Sequence, residues 1–289
     1  MKMSMKKLGA VLMAAVLAAA ALTACGGKTS DSAGGGQADG KKVLKVAMEC
    51  SYAPYNWTQP TDANGAVKIS GSSDYAYGYD VMMAKKIAEA LDYELEIVKL
   101  DWDSLVPAVQ SGKVDCVIAG QSITSDLMQS VDFTDPYYYA TIVTLVPAGS
   151  KYENAASVAD LAGATCTSQL NTIWYDNCLP QIQDADIKPA QESAPAMLVA
   201  LSSGRVDLVV TDKPTGQAAL MAYPDFKLLD FTGTDGAFEV SDEDINIGVS
   251  LKKGNTELKD SINTVLADMT EADFAKMMEE AISVQPLAE

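Results

Sequence analysis

Two polar segments stand directly after apolar runs in this sequence, and their residue types are suited to binding a small polar molecule. Gly120–Ser122 follows Cys116–Ala119, and Thr211–Asp212 follows Leu208–Val210. The first segment offers backbone groups and a hydroxyl, and the second offers a carboxylate. A carboxylate is costly to bury without a partner. Asp212 therefore predicts a nearby donor or cation, either on a ligand or on its neighbour Lys213.

Both segments end an internal repeat. Leu105–Gly120 reads LVPAVQSGKVDCVIAG, and Met197–Asp212 reads MLVALSSGRVDLVVTD. Each copy predicts the end of a helix, a glycine in the left-handed conformation, and a strand buried in a parallel sheet. Open α/β sheets bind ligands beyond the carboxyl ends of their strands. The repeat thus predicts two lobes that face one cleft, unless the similarity is only a common helix-glycine-strand pattern.

The flanking sequence supplies the elements that such lobes need. Lys42–Met48 and Leu95–Leu100 are typical of strands, and Val81–Leu91 has the apolar spacing of a helix, with Met83 and Ile87 on one face. The alternation of strand and helix predicts an α/β fold.

The amino terminus predicts export and anchoring. Three lysines precede the uncharged apolar run Leu8–Leu22, a pattern typical of a signal peptide and too short for a convincing membrane span. The run ends in Leu-Thr-Ala-Cys, which resembles a lipobox, and Gly26–Gly40 has the composition of a flexible tether. We predict a signal peptide in residues 1–24 and a lipidated Cys25 with its tether in 25–41. An ordinary cleavage site followed by an incidental cysteine is the alternative.

Composition excludes several partners and cofactors. The formal charge of −18 makes nucleic acid or an anionic surface a poor partner. The sequence has no histidine and no Cys-x-x-Cys, so we predict no metal and no cofactor. Asp242–Asp244 favours a solvated acidic turn over a metal site. Of the later cysteines, only Cys166 and Cys178 have a spacing that suits a disulfide, and that pairing stays open.

From Val43 to about Gly254, the chain resembles the polar amino-acid solute-binding proteins of bacterial ABC importers, extracellular solute-binding protein family 3. The matching segments are ordered along the chain: Leu44–Met48, Tyr52–Tyr55, Gly78–Val81, Asp101–Ala108, Ser111–Asp115, Ser122–Thr124, Val131–Tyr138 and Gly204–Asp207.

The resemblance implies a two-lobed, periplasmic-binding-protein-like type II fold with two hinge strands. Lobe 1 would comprise 42–141 with 248–289, and lobe 2 would comprise 142–247. Crossings are expected near 137–141 and 243–247. The implied function is a monomeric substrate-binding lipoprotein, which closes on a small-molecule ligand and delivers it to an ABC transporter permease. It would lie on the outer face of the cell membrane, which is the periplasmic side if the host has an outer membrane.

The resemblance also implies site residues. Tyr52 and Trp102 fall where relatives place aromatic walls, although either ring could be core. Gly120 and Ser122 occupy the loop that hydrogen-bonds the ligand through its backbone and a hydroxyl.

On the second lobe, Asn171 and Thr172 stand where relatives have a Gly-Thr or Gly-Ser turn, and Asp212 stands where an aspartate pairs with the ligand's α-ammonium. One position departs from the family. Leu127 replaces the arginine that clamps the ligand's α-carboxylate. The single arginine of the chain, Arg205, is expected in a turn away from the cleft.

The departure at Leu127 predicts a ligand with a cationic end and little reliance on a carboxylate: an amino acid, an amino-acid derivative, an amine or a nitrogen heterocycle. The long segment 59–77 carries Tyr75 and Tyr77, which we expect near the mouth of the cleft or, equally, packed within that segment.

Two other functions are alternatives. Cyclohexadienyl dehydratases resemble these binding proteins, but their substrates are rich in carboxylates. Without the arginine or any histidine, an enzyme is disfavoured. A ligand-sensing module for a membrane receptor is the second alternative.

Overall fold

The computed structural model describes residues 41–241 and 245–286. The predicted signal peptide, Cys25, most of the tether and the acidic segment 242–244 lie outside the described residues. The strands are β1 (Lys42–Met48), β2 (Ser51–Tyr52), β3 (Asn56–Gln59), β4 (Val67–Lys68), β5 (Tyr75–Tyr77), β6 (Tyr93–Lys99), β7 (Cys116–Val117), β8 (Val131–Tyr139), β9 (Ile142–Pro147), β10 (Thr165–Thr167), β11 (Asp186–Ile187), β12 (Leu208–Asp212), β13 (Phe226–Asp230) and β14 (Asn246–Lys252).

The α-helices are α1 (Tyr79–Ala90), α2 (Leu105–Ser111), α3 (Ala194–Ser202), α4 (Lys213–Ala222), α5 (Thr256–Ala267) and α6 (Glu271–Val284). The predicted strand over 42–48 is observed with those bounds. The predicted helix begins two residues earlier, at Tyr79, and the predicted second strand also begins two residues earlier, at Tyr93.

Two five-stranded sheets have the same topology. The first has the order β6-β1-β7-β14-β8, and the second has the order β11-β10-β12-β9-β13. In each sheet the first three strands are parallel and the last two join antiparallel. The predicted α/β fold is confirmed.

The core of the first half lies between the parallel strands and α1. Leu44, Val46, Met83 and Ile87 are fully buried, because alternate residues of β1 and one face of α1 turn toward each other. Helix α1 contacts β6 on one side and α5 and α6 on the other.

The two repeat copies form the same helix-to-strand turn. Gly112 and Gly204 have φ of 75° and 71°, the left-handed region that favours glycine. The next residue in each copy donates its N–H back into the helix. Lys113 N lies 3.0 Å from Ala108 O, and Arg205 N lies 3.1 Å from Ala200 O.

The repeat aspartates also match. Asp115 accepts from Lys45 N at 2.8 Å and donates its own N–H to Lys45 O at 2.9 Å. Asp207 likewise accepts from Thr165 N at 2.9 Å and donates its own N–H to Thr165 O at 2.7 Å. Each aspartate therefore fixes the register of its strand against the parallel neighbour.

A four-stranded sheet, β2-β3-β5-β4, extends the first half. Segment 59–77 folds into it. Tyr77 packs edge-on against Trp57 at 5.4 Å between ring centroids, and its hydroxyl donates to Glu280 at 2.9 Å. Tyr75 lies under Lys68. Of the two expectations for these tyrosines, packing within the segment is the one observed, because pairing of the segment with β3 holds them against the body of the first half.

The chain crosses between the halves along a two-stranded ladder. Tyr139 pairs with Asn246 and Tyr138 pairs with Ile247, and Ala140 N donates to Ile245 O at 2.8 Å. Strand β9 then begins at Ile142 in the second sheet. The lobe boundaries stay a prediction.

Within the described ranges, no helix has the length and apolar character to cross a membrane. The same ranges contain no group of three or more potential metal ligands. Cys166 is a buried thiol outside any disulfide, so the bridge to Cys178 is absent from the structure.

We predict that Asp207→Ala lowers the free energy of unfolding by about 1 to 2 kcal/mol, because the partly buried N–H of Thr165 loses its acceptor. Asp115→Ala should cost less, since the N–H of Lys45 can turn to water. Urea titrations would measure both, with the exposed Asp225→Ala as control. Equal, negligible losses for all three variants would contradict the paired role of the repeat aspartates.

Candidate functional site

A cavity of about 400 Å³ opens between the strand ends of the two sheets. Seven of the predicted site residues lie in its wall, and they come from both halves: Tyr52, Trp102, Gly120, Ser122, Leu127, Asn171 and Thr172. The volume suits a small organic ligand. Asp212 is not in the wall.

Asp212 is fully buried next to Tyr52. Its Oδ2 accepts the Tyr52 hydroxyl at 2.6 Å, and its Oδ1 accepts the N–H of Thr215 at 2.9 Å, which caps α4. Burial raises the pKa of Asp212. Lys213, the alternative partner in the sequence, instead pairs with Asp230 at 3.0 Å. The carboxylate is therefore satisfied across the cleft by a neutral hydroxyl.

Gly120 shapes the wall under Tyr52. Its φ is 61°, and a Cβ at this position would stand 2.8 Å from Cε1 of Tyr52. Its N–H donates to the Tyr137 hydroxyl at 3.1 Å, so this donor is used within the protein. Gly120 thus leaves its carbonyl, and not its N–H, to contact a ligand.

The second half contributes a tight turn. Asn171 has φ of 55°, a conformation that asparagine tolerates better than most residues. Asparagine can therefore take the conformation of the glycine that the resemblance implies at this position. The Thr172 hydroxyl donates to Gln169 O at 2.7 Å, and Thr172 O accepts the N–H of Asp176 at 3.0 Å. The turn leads into the π-helix Trp174–Cys178.

The charged residues in the described wall are all acidic. Asp103 and Asp126 of the first half and Asp176 of the second line the cavity, and none of its described wall residues is a lysine or an arginine. Leu127 begins a short 3-10 helix and lines the cavity. Arg205 is exposed and bonds Ser203 at 3.0 Å, away from the cavity as predicted.

Three functional candidates were missed in the sequence, namely Gln169, Trp174 and Glu49, whereas Gln121 lies within the predicted segment Gly120–Ser122. Gln121, Gln169 and Trp174 line the cavity, and Oε1 of Gln121 is buried with no hydrogen-bond partner among the described residues. Glu49 lies behind the wall, where it accepts from Ser51 at 2.9 Å and from Gln169 at 3.5 Å. Burial raises its pKa. Glu49 follows β1 just as Gly120 follows its strand, so the strand-end rule could have found it.

The chain is similar to known proteins over most of its length. The profile of the bacterial extracellular solute-binding proteins, family 3, matches residues 44–282. The chain belongs to this family. A probable histidine-binding protein of Neisseria gonorrhoeae is 31% identical over 93% of this chain and 92% of its own length. An arginine-binding extracellular protein of Bacillus subtilis is 27% identical over 92% of this chain and 93% of its own length.

Solved structures of amino-acid-binding proteins share the fold. An amino acid ABC transporter substrate-binding protein of Streptococcus pneumoniae, bound to L-arginine, superposes with a TM-score of 0.69 at 26% identity, covering 83% of this chain and 94% of its own. An ancestral arginine-binding protein bound to arginine superposes with a TM-score of 0.67 at 30% identity. The match covers 83% of this chain and 98% of the other. The two-lobed type II fold is therefore confirmed.

A third buried carboxylate supports the cavity of this family 3 protein. Asp80, in the first turn of α1, accepts the Tyr137 hydroxyl and the Asn56 amide, each at 2.7 Å. Tyr137 in turn accepts from Gly120. Burial raises the pKa of Asp80 from 3.8 to about 6.

The pKa of Asp80 predicts how stability depends on pH. The folded state holds this proton to higher pH than the unfolded state, so stability falls as pH rises between about 4 and 6. The rise of this pKa from 3.8 to about 6 on folding corresponds to a loss of about 3 kcal/mol in the free energy of unfolding once the pH exceeds 6. Urea unfolding at several pH values should show this loss in the wild type and a smaller loss in Asp80→Asn. Identical pH slopes would contradict the assignment.

Proposed function

We propose that this protein is the substrate-binding lipoprotein of an ABC importer and captures a small amine-bearing solute by closure of its two lobes. The observation that carries the proposal is the cavity between the halves, whose described wall holds three aspartates and no cationic side chain. Among the relatives are histidine- and arginine-binding proteins, whose ligands carry basic nitrogen in the side chain, beside cystine- and glutamine-binding proteins.

Capture requires lobes that move as units. We take lobe 1 as 42–141 with 248–289 and lobe 2 as 142–247, joined where β8 pairs with β14. The short ladder at Tyr138 and Tyr139 supports this division, because it is a narrow connection between two sheets that each have a core. The cavity lies between those sheets, so opening about the ladder would admit a solute and closing would exclude water.

The carboxylates and aromatic rings of the wall support recognition of a cationic solute. Trp102 and Trp174 come from opposite lobes, and Tyr52 lies between the lobes. An aromatic face attracts a desolvated cation by up to about 2 kcal/mol. Asp103, Asp126 and Asp176 give the wall a negative potential, which makes closure on an empty cavity less favourable. A cationic solute offsets that potential and so favours closure.

The position of Leu127 supports a ligand without a carboxylate. A ligand carboxylate would meet three aspartates and no charged donor from the described wall. Losing a charged hydrogen-bond partner costs about 1.5 to 3 kcal/mol. The preferred solute is therefore an amine or an amino-acid derivative with its carboxylate absent or masked.

Calorimetry with arginine and agmatine tests this preference, because agmatine is arginine without its α-carboxylate. We expect agmatine to bind at least about tenfold more tightly. Leu127→Arg should narrow or reverse the difference by providing a carboxylate partner. Met128→Arg is the matched control, since it adds the same charge on the same 3-10 helix outside the cavity wall.

If arginine binds the wild type more tightly than agmatine, the carboxylate-free ligand is wrong while amine capture stands. If neither these compounds nor a wider panel of amines and amino acids binds, amine capture itself is contradicted.

The lipid anchor is part of the proposal and rests on the sequence Leu-Thr-Ala-Cys25 with the tether that follows. Two acyl chains on Cys25 would hold the protein on the outer face of the membrane. We predict that Cys25→Ser moves the expressed protein from the membrane fraction to the soluble fraction, measured by immunoblotting after fractionation. Ser30→Ala is a control within the tether. Retention of Cys25→Ser in the membrane would contradict lipid anchoring at this residue.

A further inference from the structure

The wall of the cavity between the two halves changes with depth. Its aspartates are exposed to solvent, so they stand at the mouth of the cavity: Asp103, Asp126 and Asp176. Six other wall residues are buried and form what we call the inner wall: Tyr52, Gly120, Gln121, Gln169, Ile173 and Trp174. All six are uncharged. The cavity therefore offers negative charge at its mouth and an uncharged surface inside.

The carboxyls behind the inner wall give a ligand no charged contact. Neither Asp212 nor Glu49 lines the cavity. Asp212 accepts the Tyr52 hydroxyl at 2.6 Å, and Glu49 accepts from the Gln169 amide at 3.5 Å. Both inner-wall donors are thus directed at a carboxyl behind the wall. A cationic group at the inner wall would be desolvated without a carboxylate in direct contact, which is costly, so the mouth suits an ammonium group better.

Two tryptophan rings line the cavity from opposite halves. Trp102 begins the 3-10 helix Trp102–Ser104 of the first half, and Trp174 begins the π-helix of the second. Single turns of π-helix are rare and frequently occur at functional sites. Among the described residues, neither indole is in contact with another aromatic ring, whereas Tyr52 in the same wall stacks on Tyr55. A ligand between the halves can therefore stack on both indoles.

We propose that the captured solute is an arylalkylamine. Its ammonium group lies at the mouth beside the aspartates, and its flat aromatic ring lies between Trp102 and Trp174 against the inner wall. Stacked aromatic rings attract each other beyond the apolar area that they bury. A ring that contacts both halves also binds best when the halves lie together, so it favours closure. This inference rests on the proposed capture of an amine and names the chemical class of that amine.

Calorimetry with 2-phenylethylamine and 2-cyclohexylethylamine tests this class. The two probes share the amine, the linker and the ring size, and they differ in whether the ring is planar. Both lack a carboxylate and are cations at neutral pH. We expect the planar probe to bind at least about fivefold more tightly, because it can stack on two indoles. The cyclohexyl probe is the more apolar of the two, so burial of apolar surface alone predicts the opposite order.

Removal of one indole should weaken this preference. We expect Trp174→Leu to reduce the ratio of the two affinities at least about twofold, since one stacking partner is lost. Tyr175→Leu is the matched control and should leave the ratio unchanged, because Tyr175 is the next aromatic residue of the same π-helix and lies outside the cavity wall. If circular dichroism shows that Trp174→Leu does not fold, Trp102→Leu repeats the test at a half-buried position.

The position of the ammonium group has a separate test. Joint replacement of Asp103, Asp126 and Asp176 by asparagine should weaken both probes severalfold and by a similar factor, because both place the same charge at the mouth. Unchanged affinities for both probes would overturn this position of the amine.

Equal binding of the two probes, or a preference that survives the loss of either indole, would overturn the arylalkylamine class and leave amine capture unaffected. The same conclusion would follow if neither probe binds while agmatine or arginine does. If the wider panel of amines and amino acids also fails to bind, amine capture itself is contradicted, and the arylalkylamine class is contradicted with it.

Discussion

The hydrogen bond between Tyr52 and Asp212 is the contact on which the cleft depends. It joins residues 160 positions apart in the sequence, one from each half, at 2.6 Å. A buried carboxylate without a partner is strongly unfavourable. The Tyr52 hydroxyl removes that cost only when the two halves lie together. The same ring stacks on Tyr55 at 4.9 Å between centroids and covers Gly120, where no side chain fits. Aromatic wall, glycine and carboxylate therefore form one interdependent unit.

Carboxyl groups are concentrated at this unit, and no ion pair between described residues involves them. Asp80, Asp212 and Glu49 are buried around the tyrosines, and hydrogen bonds from neutral groups hold all three. Burial raises the pKa of each carboxyl. The three aspartates of the cavity wall add to the field, which acts more strongly in a closed, dry cleft than in water. A cationic solute would relieve this arrangement, and that requirement shapes the proposed specificity more than any single contact.

The sequence predicted those parts of the fold that depend on local pattern. The repeat correctly indicated Gly112 and Gly204 as left-handed helix ends, and the strand-end rule brought Gly120 and Ser122 to the cavity. Tyr52 could be predicted as a wall, but its bond to Asp212 could not, because it forms only when distant halves meet. The sequence left two positions open for Tyr75 and Tyr77, since strand pairing of their segment gives no local signal of direction. Glu49 was missed although it follows a strand end, as Gly120 does.

The most direct measurement of this account is the radius of gyration of the wild type and of Tyr52→Phe, determined by small-angle X-ray scattering without ligand. The substitution keeps the ring that stacks on Tyr55 and removes only the hydroxyl that reaches Asp212. If this hydrogen bond holds the halves together, Tyr52→Phe will have a larger radius of gyration, because Asp212 must then open to water. Equal radii for the two folded proteins would contradict the central role of this contact.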